Sequence, residues 1–308
     1  MRYRKLAAVA LIGGLVLAAC GKEGTPASPG GGDSAPAAAY PVASNVNLTG
    51  SKTFDAIKAR GRVVIGSRED QPGLGFKDAT TGERSGFDIE IAKMVAAGLG
   101  YSADKIDWKA VPSAAREDTI ARGEIDYMVG TYTINDKRKT LVSFAGPYFV
   151  AGQSLLVRKD ESAITGKDTL KGKKVCSVTG STPIQRVKDQ QLTEPENIVE
   201  FQTYSQCVDQ LISKQVDAVT TDDAILKGYA AQNPSLLKVV GNPFTDPATG
   251  KPYPEKYGIG LPHDDKALRD FVNSALETAE KDGTWQKIYD GTLGKSGSTA
   301  TIPPLEKY

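Results

Sequence analysis

The sequence predicts the α/β fold class, with two lobes that are each a mainly parallel sheet flanked by helices. Strand-like and helix-like segments alternate along the chain, which favours such layers. Roughly 258 residues follow Gly50, more than a typical single-core domain contains. In addition, Ala121–Val129 resembles Ile212–Thr220, since each is a helix end, a turn and a strand with Asp at its second position. A repeated lobe plan explains this similarity.

The first part of the chain shows helical and strand patterns in alternation. The clearest helix is Asp88–Leu99, because its apolar residues recur on one side at helical spacing. The predicted elements are, in order, a short helix capped by Thr53 and ending at Gly61, the strand Arg62–Ile65, the helix Asp88–Leu99, the strand Ile106–Val111, the helix Ser113–Ala121 with Ser113 as N-cap, and the strand Asp126–Gly130.

The second part repeats this alternation with its own caps and turns. The predicted elements are, in order, the strand Lys174–Val178, a helix opened by Gly180–Thr182, the strand Ile198–Gln202, a helix capped by Ser205, the strand Val216–Thr221, the helix Asp223–Ala231, a helix capped by Asp264 and ending near Lys281, and a short helix through Trp285 and Ile288. Strands again precede helices, as a mainly parallel sheet requires.

The N-terminus predicts a lipoprotein signal peptide over residues 1–19. Met1–Lys5 is basic, and Leu6–Leu17 is an apolar stretch of 12 residues, too short to span a bilayer comfortably. The segment ending Leu17-Ala-Ala-Cys20 then has the form of a lipobox, so we expect cleavage before Cys20 and lipidation of that cysteine. The alternative is a plain secretory signal with an accidental cysteine.

Residues 20–51 are rich in Gly, Pro, Ala and Ser and show no apolar periodicity, which is typical of a flexible linker. A lipidated linker places the protein outside the cytoplasm, attached to the outer face of the cytoplasmic membrane or in the periplasm.

The chain has 38 basic and 37 acidic residues, and loss of the three basic leader residues leaves 35 against 37, a net charge near −2. This balance argues against nucleic acid as a partner, since nucleic acid calls for a strongly basic face.

Two cysteines remain beside the lipidated one. Cys176 lies in a predicted strand and Cys207 on a predicted helix, in a compartment where disulfides persist. We expect them to form a structural disulfide, and the alternative is two buried free thiols. Two ligands are too few for a metal ion, and the spacing fits no zinc pattern.

The run Gly130–Gly146 combines a strand end, hydroxyl groups and an arginine. The strand leads into Thr131 and Thr133, and Arg138 follows seven residues after Thr131. An arginine binds a carboxylate through two parallel hydrogen bonds, and hydroxyl or N–H groups at a strand end complete such a site. The alternative is a surface arginine in a basic turn, and the residue types alone leave both interpretations open.

That run resembles the signature of the polar amino-acid-binding proteins of ABC importers, which are solute-binding family 3 with the type II periplasmic-binding fold. The similarity extends from about Thr53 to Leu293. Five further segments carry it in the order of the family: Val64–Asp70, Gly86–Ala92, Val178–Thr182, Val216–Asp223 and Tyr257–Leu261.

The resemblance implies an architecture in which the chain crosses twice between lobes, near Val150–Gln153 and within Asn242–Tyr257. Lobe 1 would comprise residues 52–150 and, after the hinge return, 251–308, with lobe 2 at 151–250. It also implies a monomer that captures an amino acid, closes by a hinge motion and delivers the ligand to ABC permease subunits in the membrane. No cofactor is implied.

The resemblance also assigns the two charged ends of the ligand. A free amino acid presents a carboxylate and an ammonium, and burying either group unpaired is costly. Arg138 would bind the carboxylate, and Asp222, just past a strand end, would bind the ammonium. The alternative for Asp222 is a helix N-cap beside Asp223, although Asp223 itself has the features of the cap.

Hydroxyl residues would complete the carboxylate site. Thr131 and Thr133 match family positions that donate hydroxyl or N–H groups to the α-carboxylate. Ser181 and Thr182 open a helix, whose free N–H groups and dipole favour an anion. We expect them to approach the same carboxylate from lobe 2, and ordinary N-capping is an alternative that is compatible with this role.

Two further arginines indicate which side chain is bound. Arg68 and Arg116 resemble positions where binders of acidic amino acids place arginines, so glutamate or aspartate is expected. Ala115 stands where the usual pattern has Asn, and a surface arginine is the alternative at both positions. Ser113 and Tyr204 are additional candidates for polar contacts.

Other functions remain as alternatives. Glutamine, asparagine or another polar amino acid would suit a similar site. An enzyme of the dehydratase type has little support, because the single histidine, His263, precedes a capped helix and no Ser-His or Cys-His pair is available without it. We therefore expect no enzymatic activity. A sensor on the same fold would have the same sequence features.

Overall fold

The structure is a computed structural model, and it describes residues 40–241, 244–246, 250–296 and 300–307. The predicted signal peptide, Cys20 and most of the predicted linker lie outside the described residues. Residues 40–51, expected as the end of the linker, instead pack on the folded chain, where the Ala43 N–H donates to the Ala97 carbonyl at 2.9 Å.

The helices of the described ranges alternate with strands, as predicted. None of them is long and apolar enough to cross a membrane. They are α1 (Lys52–Arg60), α2 (Phe87–Gly98), α3 (Arg116–Ala121), α4 (Asp136–Lys139), α5 (Thr182–Asp189), α6 (Tyr204–Ile212), α7 (Asp223–Gln232), α8 (Lys266–Lys281) and α9 (Thr284–Gly291).

The strands form a long sheet and a small hairpin. The hairpin is made of β2 (Phe76–Lys77) and β3 (Arg84–Ser85). The strands of the long sheet are β1 (Val63–Ser67), β4 (Ile106–Ala110), β5 (Tyr127–Met128), β6 (Ser143–Arg158), β7 (Val175–Val178), β8 (Ile198–Phe201), β9 (Ala218–Asp222), β10 (Leu237–Val240) and β11 (Pro254–Leu261).

The long sheet has two parts that share β6. The first half-sheet has the order β4-β1-β5-β11-β6 and uses residues 143–152 of β6. The second half-sheet has the order β6-β9-β7-β8, with β10 beside β6, and uses residues 153–158. Within each part the strands that precede helices pair in parallel: β1 with β4 and β5, and β7 with β8 and β9.

Two antiparallel strands connect these parts, and the sequence patterns did not predict either as a strand. Tyr257 of β11 pairs with Phe149 of β6, and the pairing of β6 changes from β11 to β9 between Gly152 and Gln153. Because β6 is buried on nearly its whole length, it shows no alternation of polar and apolar residues. The change of partner lies within the predicted crossing segment at residues 150–153.

Several predicted helix caps are displaced. Ser113 caps no helix; it opens a short 3₁₀ turn, Ser113–Ala115, and α3 starts at Arg116 without a side-chain cap. Neighbouring hydroxyl and carboxylate side chains compete for a cap position, which accounts for shifts of one or two residues. The observed caps are Ser51 rather than Thr53, Thr203 rather than Ser205, and Asp265 rather than Asp264.

An aromatic cluster joins the helices to β6. The ring centroid of Phe87 on α2 lies 5.5 Å from that of Trp285 on α9, and the Trp285 Nε1–H donates to the Tyr148 carbonyl at 2.8 Å. In the second half-sheet, Cys176 of β7 and Cys207 of α6 form the predicted disulfide. The disulfide fixes the start of α6 against β7, and this helix carries Tyr204.

Candidate functional site

A small cavity lies where residues of the two half-sheets meet. Its volume is about 10 Å³, room for about one water molecule, and far below the roughly 300–1,000 Å³ of pockets for drug-sized ligands. Nine of the ten predicted ligand-binding residues line it, together with Pro183. The nine are Ser113, Arg116, Thr131, Thr133, Arg138, Ser181, Thr182, Tyr204 and Asp222.

Arg138 contacts both sides of the cavity. Asn135 caps the short helix α4 by accepting from the Arg138 N–H at 2.9 Å, which fixes the residue's place in that helix. The guanidinium donates to the carbonyls of Thr133 at 2.6 Å and Gly180 at 3.1 Å, and its Nε lies 3.2 Å from Glu117. Since the residue is only 7% exposed, it is not a surface arginine of a basic turn.

Arg116 lies beside Arg138 on an aromatic ring. Its guanidinium carbon is 4.2 Å from the centroid of Tyr132, and that of Arg138 is 5.1 Å from the same centroid. A cation over the face of an aromatic ring is stabilised electrostatically. Tyr132 therefore supports both guanidinium groups, although sequence reasoning did not select it.

The positive charge of Arg116 has no carboxylate within 4.0 Å among the described residues. Its hydrogen bonds go to backbone carbonyls, of Ser113 at 3.1 Å and Gly130 at 3.4 Å. Burial, and after it the charge of Arg138, lower the pKa of Arg116 to about 10. An anion entering the cavity would offset both effects.

Asp222 faces the same cavity from the second half-sheet. It is the last residue of β9, it is 3% exposed, and it makes no side-chain cap hydrogen bond to α7. Its Oδ2 accepts from the Tyr257 hydroxyl at 2.6 Å, whereas its Oδ1 has no hydrogen-bond partner in the described part of the chain. The N-cap alternative is therefore wrong for this side chain.

The charge of Asp222 is unfavourable in these surroundings. Burial raises the pKa of Asp222 well above its ordinary value, and the nearby carboxylate of Glu255 raises it further. A cation within hydrogen-bond reach would favour the ionised form. Asp223, expected as the cap of α7, instead accepts from the Gly152 N–H at 3.1 Å and pairs with Lys227 at 2.7 Å.

Ser181 and Tyr204 bring the second half-sheet to the cavity. Ser181 is the N-cap of α5 and accepts from the Ile184 N–H at 3.4 Å, so the capping alternative holds for it. Gly180 has a positive φ of 79°, and a Cβ there would lie 2.7 Å from the Cα of Ala114. Only a residue without a side chain allows the two sides of the cavity to approach so closely at this position.

Thr131 is held from behind by Asp88. The Thr131 N–H donates to Asp88 Oδ2 at 3.0 Å, and the Tyr148 hydroxyl donates to Oδ1 at 2.8 Å. The backbone of Thr131 has a positive φ of 45°, a conformation that few residues other than glycine adopt. The Thr131 hydroxyl lies 3.1 Å from the side-chain amide nitrogen of Gln71, so both its N–H and its hydroxyl already have partners within the protein.

Arg68 is the predicted site residue that does not line the cavity. Its Nη2 donates to Asp70 at 3.0 Å and to the Gln202 carbonyl at 3.2 Å, and its Nη1 donates to the Val111 carbonyl at 3.2 Å. Asp70 in turn accepts from the Tyr204 N–H at 2.7 Å, at the start of α6. The Arg68–Asp70 pair thus connects the first half-sheet to α6.

Glu255 is a further buried group that sequence reasoning missed. It is 0% exposed and accepts from the hydroxyls of Thr133 and Thr182, at 2.8 and 2.7 Å. Arg186 of α5 donates to its other oxygen at 2.8 Å. The sequence signal was a single acidic residue in a Pro-rich crossing, which on its own resembles an ordinary loop carboxylate.

Comparison with known proteins decides the family. Residues 63–295 match the model of the bacterial extracellular solute-binding proteins, family 3. The chain belongs to this family. The resemblance found in the sequence, and the two-lobed type II periplasmic-binding fold that it implies, are confirmed.

Individual relatives of this solute-binding protein carry different ligand names. It is 40% identical over 257 residues to the glutamate-binding protein GluB of Corynebacterium glutamicum, covering 80% of this chain and 83% of that protein. It is 35% identical over 285 residues to the ABC transporter glutamine-binding protein GlnH of Bacillus subtilis, covering 92% and 94%. A solved structure of an ancestral arginine-binding protein bound to arginine shares 36% identity with a TM-score of 0.67, covering 75% and 97%.

These relatives establish a transport role outside the cytoplasm. Proteins of the family bind amino-acid ligands and deliver them to ABC permeases. The relatives are substrate-binding proteins rather than enzymes. Since their names specify glutamate, glutamine and arginine, the choice of ligand must be argued from the side chains of this cavity.

Proposed function

We propose that this solute-binding protein captures an acidic amino acid, glutamate or aspartate, between its two lobes and delivers it to an ABC permease. The observation that carries the proposal is the charge arrangement in one closed cavity. Two guanidinium groups, of Arg116 and Arg138, stand on one side, and the unpaired Oδ1 of Asp222 faces it from the second half-sheet. An acidic amino acid has two carboxylates and one ammonium, which this set matches.

Each charged group of the ligand would have one main partner. Arg138 would bind the α-carboxylate, because it contacts both sides of the cavity through Thr133 and Gly180. Asp222 would bind the ammonium, which removes the cost of its unpaired oxygen. Arg116 would bind the side-chain carboxylate, because its charge lacks an anionic partner among the described residues.

Arg68 would act differently from the expectation of a direct selector. Its charge is offset by Asp70, and its contacts hold α6 against the first half-sheet. Closure around the ligand would therefore use the Arg68–Asp70 pair as an interlobe contact. Hinge motion would occur where β6 changes partners near Gly152 and where the chain returns before β11.

The rest of the proposal concerns attachment and assembly. Lipidation at Cys20 would tether a monomer to the membrane through residues 21–39, and the lobes would follow the boundaries 52–150, 151–250 and 251–308. No cofactor and no catalytic residue is proposed. His263 is exposed and does not line the cavity, so it gives no support to an enzyme.

Glutamine is the second candidate ligand. The 35% identity with a protein named glutamine-binding covers more of this chain than the match to the glutamate-binding one. An amide oxygen could accept from Arg116, but it would leave the positive charge uncompensated. We therefore rank glutamine below glutamate.

Calorimetric titration of the protein from Gly21 onward, which keeps the packed residues 40–51, would test the proposal. The ligands are L-glutamate, L-aspartate, L-glutamine, L-asparagine and L-arginine. We expect one-to-one binding of an acid, at least about tenfold tighter than its amide, which corresponds to about 1.4 kcal/mol. Tighter binding of an amide or of arginine would contradict acidic specificity while leaving the clamp of Arg138 and Asp222, and absence of binding to all five would overturn the site.

A further inference from the structure

Glu255 holds two cavity-lining hydroxyls from opposite sides. Thr133 comes from the first half-sheet side and Thr182 from the start of α5, and their oxygens are 3.4 Å apart. Both donate to the same oxygen, Glu255 Oε2, at 2.8 and 2.7 Å. Arg186 donates to Oε1 at 2.8 Å, and its guanidinium carbon lies 4.3 Å from the ring centroid of Tyr253. The carboxylate is therefore fixed in position.

The count of protons determines what these hydroxyls can offer a ligand. A threonine hydroxyl has one proton and two lone pairs. An ionised carboxylate only accepts hydrogen bonds. Thr133 and Thr182 therefore each use their one hydroxyl proton in the hydrogen bond to Glu255. Each hydroxyl oxygen then has only lone pairs left for the cavity. Such an oxygen can accept from an ammonium, and it cannot donate to a carboxylate.

We propose that Glu255, held by Arg186, is a positioning residue that turns the Thr133 and Thr182 hydroxyls into acceptors for the ligand's ammonium. This role rests on the proposed function and changes one expectation, that these hydroxyls donate to the α-carboxylate. The ammonium has three protons, so it can donate to Asp222 Oδ1 and to these oxygens together. The carboxylate would be left to Arg138 and to backbone N–H groups.

The surroundings of Asp222 support this assignment. Asp222 and Glu255 lie close enough for the charge of Glu255 to raise the pKa of Asp222, while Arg186 lowers it. The end of the cavity near Asp222 is therefore rich in negative charge. An ammonium is stabilised there, whereas a carboxylate would be repelled.

The test is a binding cycle with Glu255→Gln. Arg186 donates at the Oε1 position, so the amide oxygen of the substituted side chain takes that place and its nitrogen faces the two threonines. Because that nitrogen donates, at least one threonine must turn its proton away from residue 255 and towards the cavity. We expect the affinity for L-glutamate to fall about 10- to 100-fold. In a Thr133→Val or Thr182→Val background the same change should cost much less, because the hydroxyl that it acts through is gone. If Glu255→Gln lowers the affinity by the same factor in the wild type and in both Val backgrounds, the proposed role is overturned. A merely structural effect of Glu255 would be independent of the two hydroxyls.

Two further measurements keep the test decisive. Glu306→Gln is the matched control, because Glu306 pairs with Lys256 next to Glu255 and lies outside the cavity, and it should leave affinity unchanged. Glu255→Gln leaves the Arg186 guanidinium without its carboxylate partner. If this lowers Tm, the cycle is repeated in an Arg186→Gln background, where that charge is absent.

The outcomes separate this role from the proposed function. If the wild type binds and Glu255→Gln binds with the same affinity, only the role of Glu255 is overturned, and the proposed function stands. If the wild type binds L-glutamine or L-arginine rather than L-glutamate, the cycle is run with that ligand, since each carries the same α-ammonium. Failure of the wild type to bind any of them overturns the proposed function and this role together.

Discussion

Arg116 and Arg68 are equally buried but have different partners. They are 2% and 3% exposed, and both lie in the part of the molecule built on the first half-sheet. Arg68 is paired with Asp70 at 3.0 Å, and that pair reaches the second half-sheet through Gln202 and Tyr204. Within the described part of the chain, the partners of Arg116 are backbone carbonyls and the Tyr132 ring.

The difference teaches that burial alone does not identify a ligand-binding arginine. A buried charge is tolerated when an opposite charge and hydrogen bonds offset its desolvation. The charge of Arg68 is offset by Asp70, so its role can be structural, although its Nε has no hydrogen-bond partner among the described residues. Arg116 lacks such compensation among the described residues, and we propose that a bound anion supplies it. The predictions below test this contrast in order of expected size.

The largest effect is expected for Arg138→Ala, which sets the scale for the other two arginines. Its loss would leave the ligand's α-carboxylate buried and unpaired, and we expect about 2–5 kcal/mol of binding free energy to be lost for every amino acid tested. Calorimetric titration measures this. Lys137→Ala, an exposed neighbour in the same basic turn, is the control, and equal losses in both variants would show that general positive charge, not the buried guanidinium, binds the ligand.

A pH effect of intermediate size is expected on the side of the cavity that holds Arg116. Asp88 fixes Thr131, whose carbonyl is 3.5 Å from Arg116 Nη1. Burial raises the pKa of Asp88 from 3.8 to about 6, so the folded state binds this proton more tightly than the unfolded state. Stability from Asp88 is therefore fully present below pH 3.8 and is lost as pH rises through about 6, by roughly 3 kcal/mol in total.

Chemical denaturation from pH 4 to pH 7 would measure that loss. Asp88→Asn should remove this pH dependence. The unfolding free energy of the wild type minus that of the variant should therefore decrease as pH rises from 4 to 7. Asp55→Asn, at an exposed position of α1, is the control and should run parallel to the wild type. Parallel curves for Asp88→Asn would contradict the raised pKa.

The fold was largely predictable because its parallel parts carry local signals. The strand and helix patterns from Val63 to Ala121 and from Val175 to Gln232 follow the alternation that βαβ units require. The strands β6 and β11 were not predicted, since a strand buried on both faces lacks alternation. Their pairing is antiparallel and long-range, which no local pattern encodes.

The candidate site was predictable wherever a residue belongs to a motif. Nine motif-derived residues line one cavity, although they come from both half-sheets. Glu255 and Tyr132 were missed, and Arg68 was assigned to direct ligand contact. In each case the outcome depends on a partner distant in sequence: Thr182 for Glu255, Arg116 for Tyr132, and the start of α6 for Arg68.

The contrast itself is tested by Arg116→Gln. If Arg116 binds the side-chain carboxylate, glutamate should lose about 2–3 kcal/mol of binding free energy and glutamine less than about 1 kcal/mol, because a charge-assisted hydrogen bond is lost only with the acid. Titration with both ligands measures the difference. The exposed Arg122, which follows α3, provides the control Arg122→Gln. Equal losses for the two ligands would remove Arg116 from the selector role.

The smallest effect is expected for Arg68→Gln, and its pattern matters more than its size. Because Arg68 acts on closure through its hydrogen bond to the Gln202 carbonyl, glutamate and glutamine should lose equal binding free energy, about 1 kcal/mol each. The same titrations measure this, with the exposed Arg62→Gln as control. A loss confined to glutamate would mean that Arg68 leaves Asp70 when an acid binds. Burial would then have been a sufficient guide to both arginines, and the contrast between them would fail.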